Sequence, residues 1–297
     1  MPRPSTTALL AGVVDYAGLF PPAGLSMADA VAEYGRARRG PSAWMLGRFV
    51  VPAARLADFA AALLLRPAAE LAGEPWAVSA IVRDGSTNDV AAITEFNGLA
   101  ASQGARVDSV EAKPQALDGI DWLADTCGAI GEVYVELAPD GDLDAALARV
   151  AGRGLRAKIR TGGVTAEAFP APAAIIGFIA AAVRHGVVFK ATAGLHHALR
   201  GAYRLTYASD AASAPMYGYL NVLLATAALQ AGASAADAET LLTLADPAAL
   251  VLHDGTVTWG GHEFTVSQLH ATRARLVSFG SCSFTEPAGE FDALATR

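Results

Sequence analysis

The sequence predicts an α/β fold, a TIM (β/α)8 barrel with an elaboration between strands 7 and 8. Three observations carry that expectation. Short β-branched runs alternate with Ala- and Leu-rich helical stretches, the pattern of a parallel sheet built from βα units. Eight such runs can be counted, enough to close a barrel. The 297 residues are 53% hydrophobic and 17% charged, which suits one large domain with a sizeable core.

The strands are expected at 9–14, 45–51, 77–82, 106–111, 133–137, 156–160, 187–191 and 276–281, in segments such as "AVSAIV", "VYVEL" and "LVSFGS". Helices are expected at 27–39, 53–65, 89–103, 120–127, 143–151 and 173–185, where apolar residues recur at three- and four-residue spacing. Gly104, Gly154 and Gly186 each stand just before a strand, as helix-terminating glycines do. After the seventh strand the rhythm breaks. Residues 195–275 hold a loop, an apolar helix at 220–231 stopped by Gly232, a second helix at 235–244 and a hairpin, "LVLHDGTVTWGGHEF". This stretch is read as an elaboration on a single domain spanning 1–297, a lid or an oligomer surface, and a homo-oligomer is expected.

A formal net charge of -7 and a pI near 5.4 leave no electrostatic footprint for nucleic acid or an anionic membrane. The short basic run Arg36-Ala37-Arg38-Arg39 reads as a solvated helix end. Cys127 and Cys282 are far apart and offer neither a disulfide framework nor a zinc spacing, which suits a reducing, cytoplasmic setting. No uninterrupted apolar run reaches the roughly 20 residues of a membrane span. The opening "MPRPSTTALLAGVVDYAG" meets Asp15 too early for a signal peptide and reads as a first strand. A small-molecule partner is therefore expected.

In such barrels chemistry sits at the carboxyl ends of the strands, so polar residues there are candidates. They are Asp15 after strand 1, Arg48 in strand 2, Asp108, Glu111 and Lys113 at strand 4, Glu136 at strand 5, Lys158 and Arg160 at strand 6, and Lys190 at strand 7. The chain carries nineteen Arg and only three Lys, and all three Lys fall in this set. A guanidinium stays protonated, whereas burial or a neighbouring cation can bring a lysine amine to the neutral form that attacks a carbonyl. The bias suggests that an amine is required. The alternative is that the lysines are structural ion-pair partners of Glu111 and Glu136. Loops that follow the last three strands, Thr161-Gly162-Gly163, Thr192-Ala193-Gly194 and Gly280-Ser281-Cys282-Ser283, can aim backbone N–H groups at a phosphate or carboxylate.

These residues resemble the deoxyribose-phosphate aldolase family of class I aldolases. There, a strand 6 motif of the K-T-x-T-G type carries the Schiff-base lysine, and a strand 7 motif of the K-A-x-G-G type carries a second one. "KIRTGG" and "FKATAG" stand in those places, and "VVDYAGLFPPA", "FVVPAARL", "RVDSVEA", "VYVELAP" and "SFGSCSF" follow the family's other blocks in order. The resemblance implies that Lys158 forms the imine, Lys190 tunes it and Asp108 joins a proton relay. It also implies that Gly162, Gly163, Gly194, Ser281 and Ser283 lie near the substrate's anionic end, and that no cofactor is needed. Arg160 stands where the motif has a small polar residue and could clamp a carboxylate or phosphate.

Two other readings compete. His196 and His197, with Glu136, Asp108 or His253, could bind a divalent metal and polarise a carbonyl, the class II solution for a lyase or isomerase. Alternatively one histidine serves as an acid/base or phosphate contact. Cys282 reads as a small buried residue. A non-catalytic small-molecule-binding barrel is the remaining reading, since fold alone never implies catalysis.

Overall fold

A computed structural model describes residues 2–71, 73–100 and 104–296. Eight parallel strands close a barrel: β1 (Val14–Tyr16), β2 (Leu46–Pro52), β3 (Trp76–Val82), β4 (Ala105–Ala112), β5 (Glu132–Leu137), β6 (Arg156–Arg160), β7 (Phe189–Thr192) and a last strand, Leu276–Ser281, which pairs with both β7 and β1. The fold is the expected (β/α)8 barrel, with small sheets inserted before the last strand. Two strands there form a hairpin, β8 (Gly201–Arg204) with β9 (Ser213–Met216). Three more, β10 (Leu250–Leu252), β11 (Thr256–Trp259) and β12 (His262–Thr265), form an antiparallel meander where a two-stranded hairpin was expected. The barrel's last strand is β13.

The first strand is shorter than expected. Residues 4–10 form a helix, α1 (Pro4–Leu10), with Pro at its start, and only Val14–Tyr16 pair in the sheet. A short apolar run cannot be assigned to strand or helix by periodicity alone. Here it packs against α11 (Val266–Arg275), which the hydrophobic pattern did not reveal. That helix is set by a reciprocal capping box between Thr265 and Gln268, a sequence-local signal.

Around the barrel run α2 (Met27–Ala37), α3 (Leu56–Leu64) with the short α4 (Ala68–Leu71), α5 (Thr87–Ala100), α6 (Leu117–Cys127), α7 (Leu143–Gly152) and α8 (Pro172–Arg184). The expected helix 89–103 ends on residues outside those described. The 19-residue stretch 166–184 is apolar enough to cross a membrane, with a mean hydropathy of 1.7. Pro170 and Pro172 interrupt it, and α8 turns Ile175, Ile176, Phe178, Ile179 and Ala182 into the core. The apolar helix α9 (Tyr219–Gln230) is buried from Tyr219 through Ala228 and packs on α8, β13, α11 and α10 (Ala235–Thr243). It occupies the place of the barrel's own seventh helix rather than a separate elaboration. α12 (Thr285–Ala295) follows β13 and completes the shell.

Strand alternation sorts the wall into two faces. Val14, Phe49, Val78, Val110, Val135, Ile159, Phe189 and Phe279 join the core between sheet and helices. Their neighbours Asp15, Ser79, Glu111, Glu136, Lys158, Lys190 and Ser278 are buried polar residues that bond to one another. Barrel interiors are usually filled by branched apolar side chains. This one is filled with charge.

Candidate active site

Register places the two echoing lysines side by side. Glu136 pairs with Lys158 across β5 and β6, and Lys158 with Lys190 across β6 and β7, so three inward side chains meet at one level. Lys158 Nζ lies 2.9 Å from Glu111 Oε2 and 2.8 Å from Glu136 Oε2. Lys190 Nζ lies 3.0 Å from Asp15 Oδ2 and also contacts Glu111 Oε1. One carboxylate therefore bridges both amines. Ser79 Oγ donates to Glu111 Oε1 at 2.7 Å, Ser278 Oγ to Asp15 Oδ2 at 2.7 Å, and the Arg48 backbone N–H to Asp15 Oδ1 at 2.9 Å. The face of Tyr134 lies 4.6 Å from Lys190 Nζ.

The lysines are 5% and 2% exposed, which makes the energetics of their charge a matter of balance. Burial alone would lower the Lys190 pKa, but Asp15 and Glu111 outweigh it and hold the amine well above its ordinary range. Burial would likewise raise Glu111, and the attraction of Lys158 and Lys190 holds its carboxyl well below the usual carboxylate range. Lys190 is thus a fixed cation and Glu111 a fixed anion. The ion pairs expected of structural lysines do form, yet both amines also face open space.

That space is a cavity of about 330 Å³ at the carboxyl end of the strands. Asp15, Glu111, Glu136, Lys158 and Lys190 line its floor. Arg160, Gly163, Thr192, Gly194, His196 and Gly280 line its wall. Arg160 is exposed, and among the described residues its side chain has no ion-pair partner. Phe20, Pro21, Pro22 and Val164 add an apolar side that strand-end reasoning missed, because they come from loops after β1 and β6.

Other expected residues lie elsewhere. Asp108 and Arg48 are at the opposite, amino-terminal end, where Arg48 Nε meets Asp108 Oδ1 at 2.8 Å and Arg48 also pairs with Glu132 at 3.2 Å. Glu132 in turn binds Arg156 at 2.8 Å, and both begin their strands. β4 is eight residues long, so Asp108 and Glu111 sit at different depths. Lys113 lies just beyond β4, largely exposed and 4.0 Å from Glu136. Thr161 is buried behind the mouth, donating from Oγ1 to the Ala193 carbonyl at 2.8 Å. Gly162 leaves room for the Phe169 ring, which a Cβ there would meet at 2.4 Å. Ser283 accepts the Glu286 N–H at 3.3 Å and so caps α12 rather than facing the cavity.

The adjacent histidines diverge. His197 Nδ1 bonds Glu290 Oε1 at 2.6 Å and its ring stacks on Tyr203, which pins the loop to α12. His196 instead lines the lysine cavity beside Ser281, Cys282 and Glu286. Of the partners envisaged for a metal, Glu136 shares the cavity with His196, but His197 is turned to Glu290, Asp108 lies at the far end and His253 sits in the turn between β10 and β11, so among the described residues no three His, Cys, Asp or Glu are grouped to hold a metal ion. The residue that sequence reasoning undervalued is Cys282, which lines the cavity at 4% exposure. Its signal was the loop "GSCSF" itself.

Comparison of the sequence with models of known protein families and with curated proteins finds no match.

Proposed function

We propose that this chain is a class I, Schiff-base aldolase-type lyase acting on a small carbonyl compound. The observation that carries the reading is the placement of Lys158 on the floor of an open cavity at the catalytic end of the barrel, between a carboxylate and a second, fixed cation. The resemblance to the deoxyribose-phosphate aldolase family supports the same roles for Lys158 and Lys190.

The chemistry follows from the contacts. Lys158 passes a proton to Glu136, 2.8 Å away, and the freed amine adds to the substrate carbonyl carbon. Glu136 returns that proton to the carbinolamine oxygen, then carries a second one from the nitrogen to the same oxygen, which leaves as water. The resulting iminium withdraws electrons from the adjacent carbon, so that when a hydroxyl on the next carbon gives its proton to Glu136 and becomes a carbonyl, the C–C bond between the two carbons breaks with its electron pair held in an enamine. Lys190, its charge held by Asp15 and Glu111, stands beside Lys158 across β6 and β7, the place that the resemblance gives to its tuner. The proton relay that the resemblance implied for Asp108 passes to Glu136, because Asp108 is bound to Arg48 at the other end.

Reduction with borohydride in the presence of a panel of small aldehydes and ketones is expected to leave an adduct on Lys158, mapped by mass spectrometry, and none in Lys158→Met. An adduct on neither buried lysine across the panel overturns the reading.

A further inference from the structure

Beside the lysines lies a second group of reactive side chains. Cys282 Sγ is 3.6 Å from His196 Nδ1 and 4.0 Å from Nε2. Glu286 Oε2 stands 3.5 Å from the same Nδ1. Tyr207 Oη reaches both, 3.5 Å from Sγ and 3.0 Å from Glu286 Oε2, and Ser281 Oγ is 3.3 Å from His196 Nδ1. The four principal residues come from separate places: the loop after β7, the β8–β9 hairpin, the end of β13 and α12. Nothing in the proposed lysine chemistry uses them.

The group is also accessible. Cys282 and His196 both line the 330 Å³ cavity that holds Lys158. His196, Tyr207 and Glu286 line an adjoining cavity of about 210 Å³, so the imidazole stands in the wall between the two. A thiol needs a base to become a nucleophile, and a cation to keep it one. His196 supplies both. Burial would lower the His196 pKa, but its hydrogen bonds to Cys282 and Glu286 outweigh that and hold it at about 9. Tyr16 in β1 also faces the thiol, and it and Tyr207 are phenols whose pKa burial pushes well up, so His196 supplies the positive charge among these neighbours.

We propose that Cys282 and His196 form a second nucleophilic centre in the barrel mouth, a thiolate–imidazolium pair that captures an aldehyde reversibly as a thiohemiacetal. The sulfur forms a bond to the aldehyde carbon, the C=O π pair moves to oxygen, and that oxygen takes the proton that His196 had received from the thiol. No oxidant, leaving group or co-reactant is required. An aldehyde fits because the cavity already presents an amine suited to carbonyl compounds, and Tyr207 adds a hydroxyl beside the sulfur. This centre rests on its own geometry and stands whether or not Lys158 forms an imine.

The test exploits the only two cysteines of the chain. Cys127 is buried at the end of α6 and burial pushes its thiol up to about 11, so it serves as an internal control. Iodoacetamide labelling is followed by peptide mass mapping. An ordinary thiol of pKa about 8.5 loses roughly seventyfold in rate between pH 8 and pH 6. Cys282 in the intact chain is expected to lose less than threefold, and Cys127 to stay unlabelled. His196→Gln should restore the steep profile. In Lys158→Met, which lacks the amine assigned to the imine, 10-fold molar excess propanal over iodoacetamide should still slow Cys282 labelling at least threefold. A steep profile in the intact chain overturns the proposal without reference to any variant. So does a profile unchanged by His196→Gln, or an absence of protection by propanal. A missing borohydride adduct on Lys158 alongside propanal protection would defeat the lyase reading and leave this one standing.

Discussion

Replacing Lys190 with Met should convert the barrel interior from an ion-paired set of charges into one that acid stabilises. The substitution keeps the volume of the stem and deletes the cation that contacts Asp15 and Glu111, leaving Asp15 without an ion pair and Glu111 with Lys158 alone among the described residues. Breaking a buried ion pair by removing one partner costs about 3–5 kcal/mol. At about 2 °C per kcal/mol for a domain of this size, the melting temperature near pH 7.5 should fall by about 6–10 °C. The sign of the pH dependence is the sharper test. In the wild type, burial raises Glu111 but the lysines outweigh it, so its stabilisation is full above its unfolded pKa of about 4.3 and is lost as pH falls through the lower folded value. Lys190 is held up, so its share is full below about 10.4 and is lost only when pH rises through its higher folded value. Both contributions are complete at neutral pH. In the variant, stranded carboxylates titrate above their unfolded values, which favours the fold below about pH 4 and withdraws that support as pH rises. Thermal melts followed by circular dichroism from pH 4 to 8 should show a gap between the two proteins that widens with pH. A gap that is constant, or absent, would refute the account of the interior as an ion-paired set.

Two other substitutions probe the mouth. Ala193 adopts a φ of 64°, a conformation in which a Cβ costs about 1–2 kcal/mol, while glycine's freer unfolded chain costs about 0.4–1 kcal/mol. Ala193→Gly should therefore leave the denaturant midpoint unchanged or raise it slightly, and a loss above about 1 kcal/mol would show that the φ is not strained. Arg160→Met should weaken borohydride trapping of a carboxylated keto compound about tenfold, the equivalent of about 1.4 kcal/mol, and that of a neutral ketone less than twofold. Equal effects on the two would remove Arg160 from anion recognition.

Much of the wall was legible in the sequence because parallel strands repeat one local pattern. The strands at 156–160 and 276–281 match the expected spans residue for residue, and the alternation of Lys158 with Ile159 or of Ser79 with Val78 already says which side faces in. The convergence of Lys158, Lys190, Glu136, Glu111 and Asp15 followed from strand order. Depth along a strand was harder to read. Asp108 and Glu111 are three residues apart, and without the neighbouring register a rim residue cannot be told from one at the base. Long-range contacts were harder still. Nothing local to His196 or Cys282 signals that they meet, since 86 residues separate them and the chain between folds into two hairpin-like sheets and three helices. The fate of 4–10 as a helix was likewise decided by α11, its distant packing partner.

The salt-bridged base of the barrel has a kinetic corollary. Arg48, Asp108, Glu132 and Arg156 tie the amino end together, and the cavity that holds Lys158 lies at the carboxyl end, away from them. A fragment tethered to Lys158 on the floor stands behind whatever occupies the space toward the rim. On the proposed Schiff-base chemistry the untethered fragment departs first in cleavage, and in the reverse direction the tethered partner loads first, an order that follows from the depth of Lys158 in the cavity.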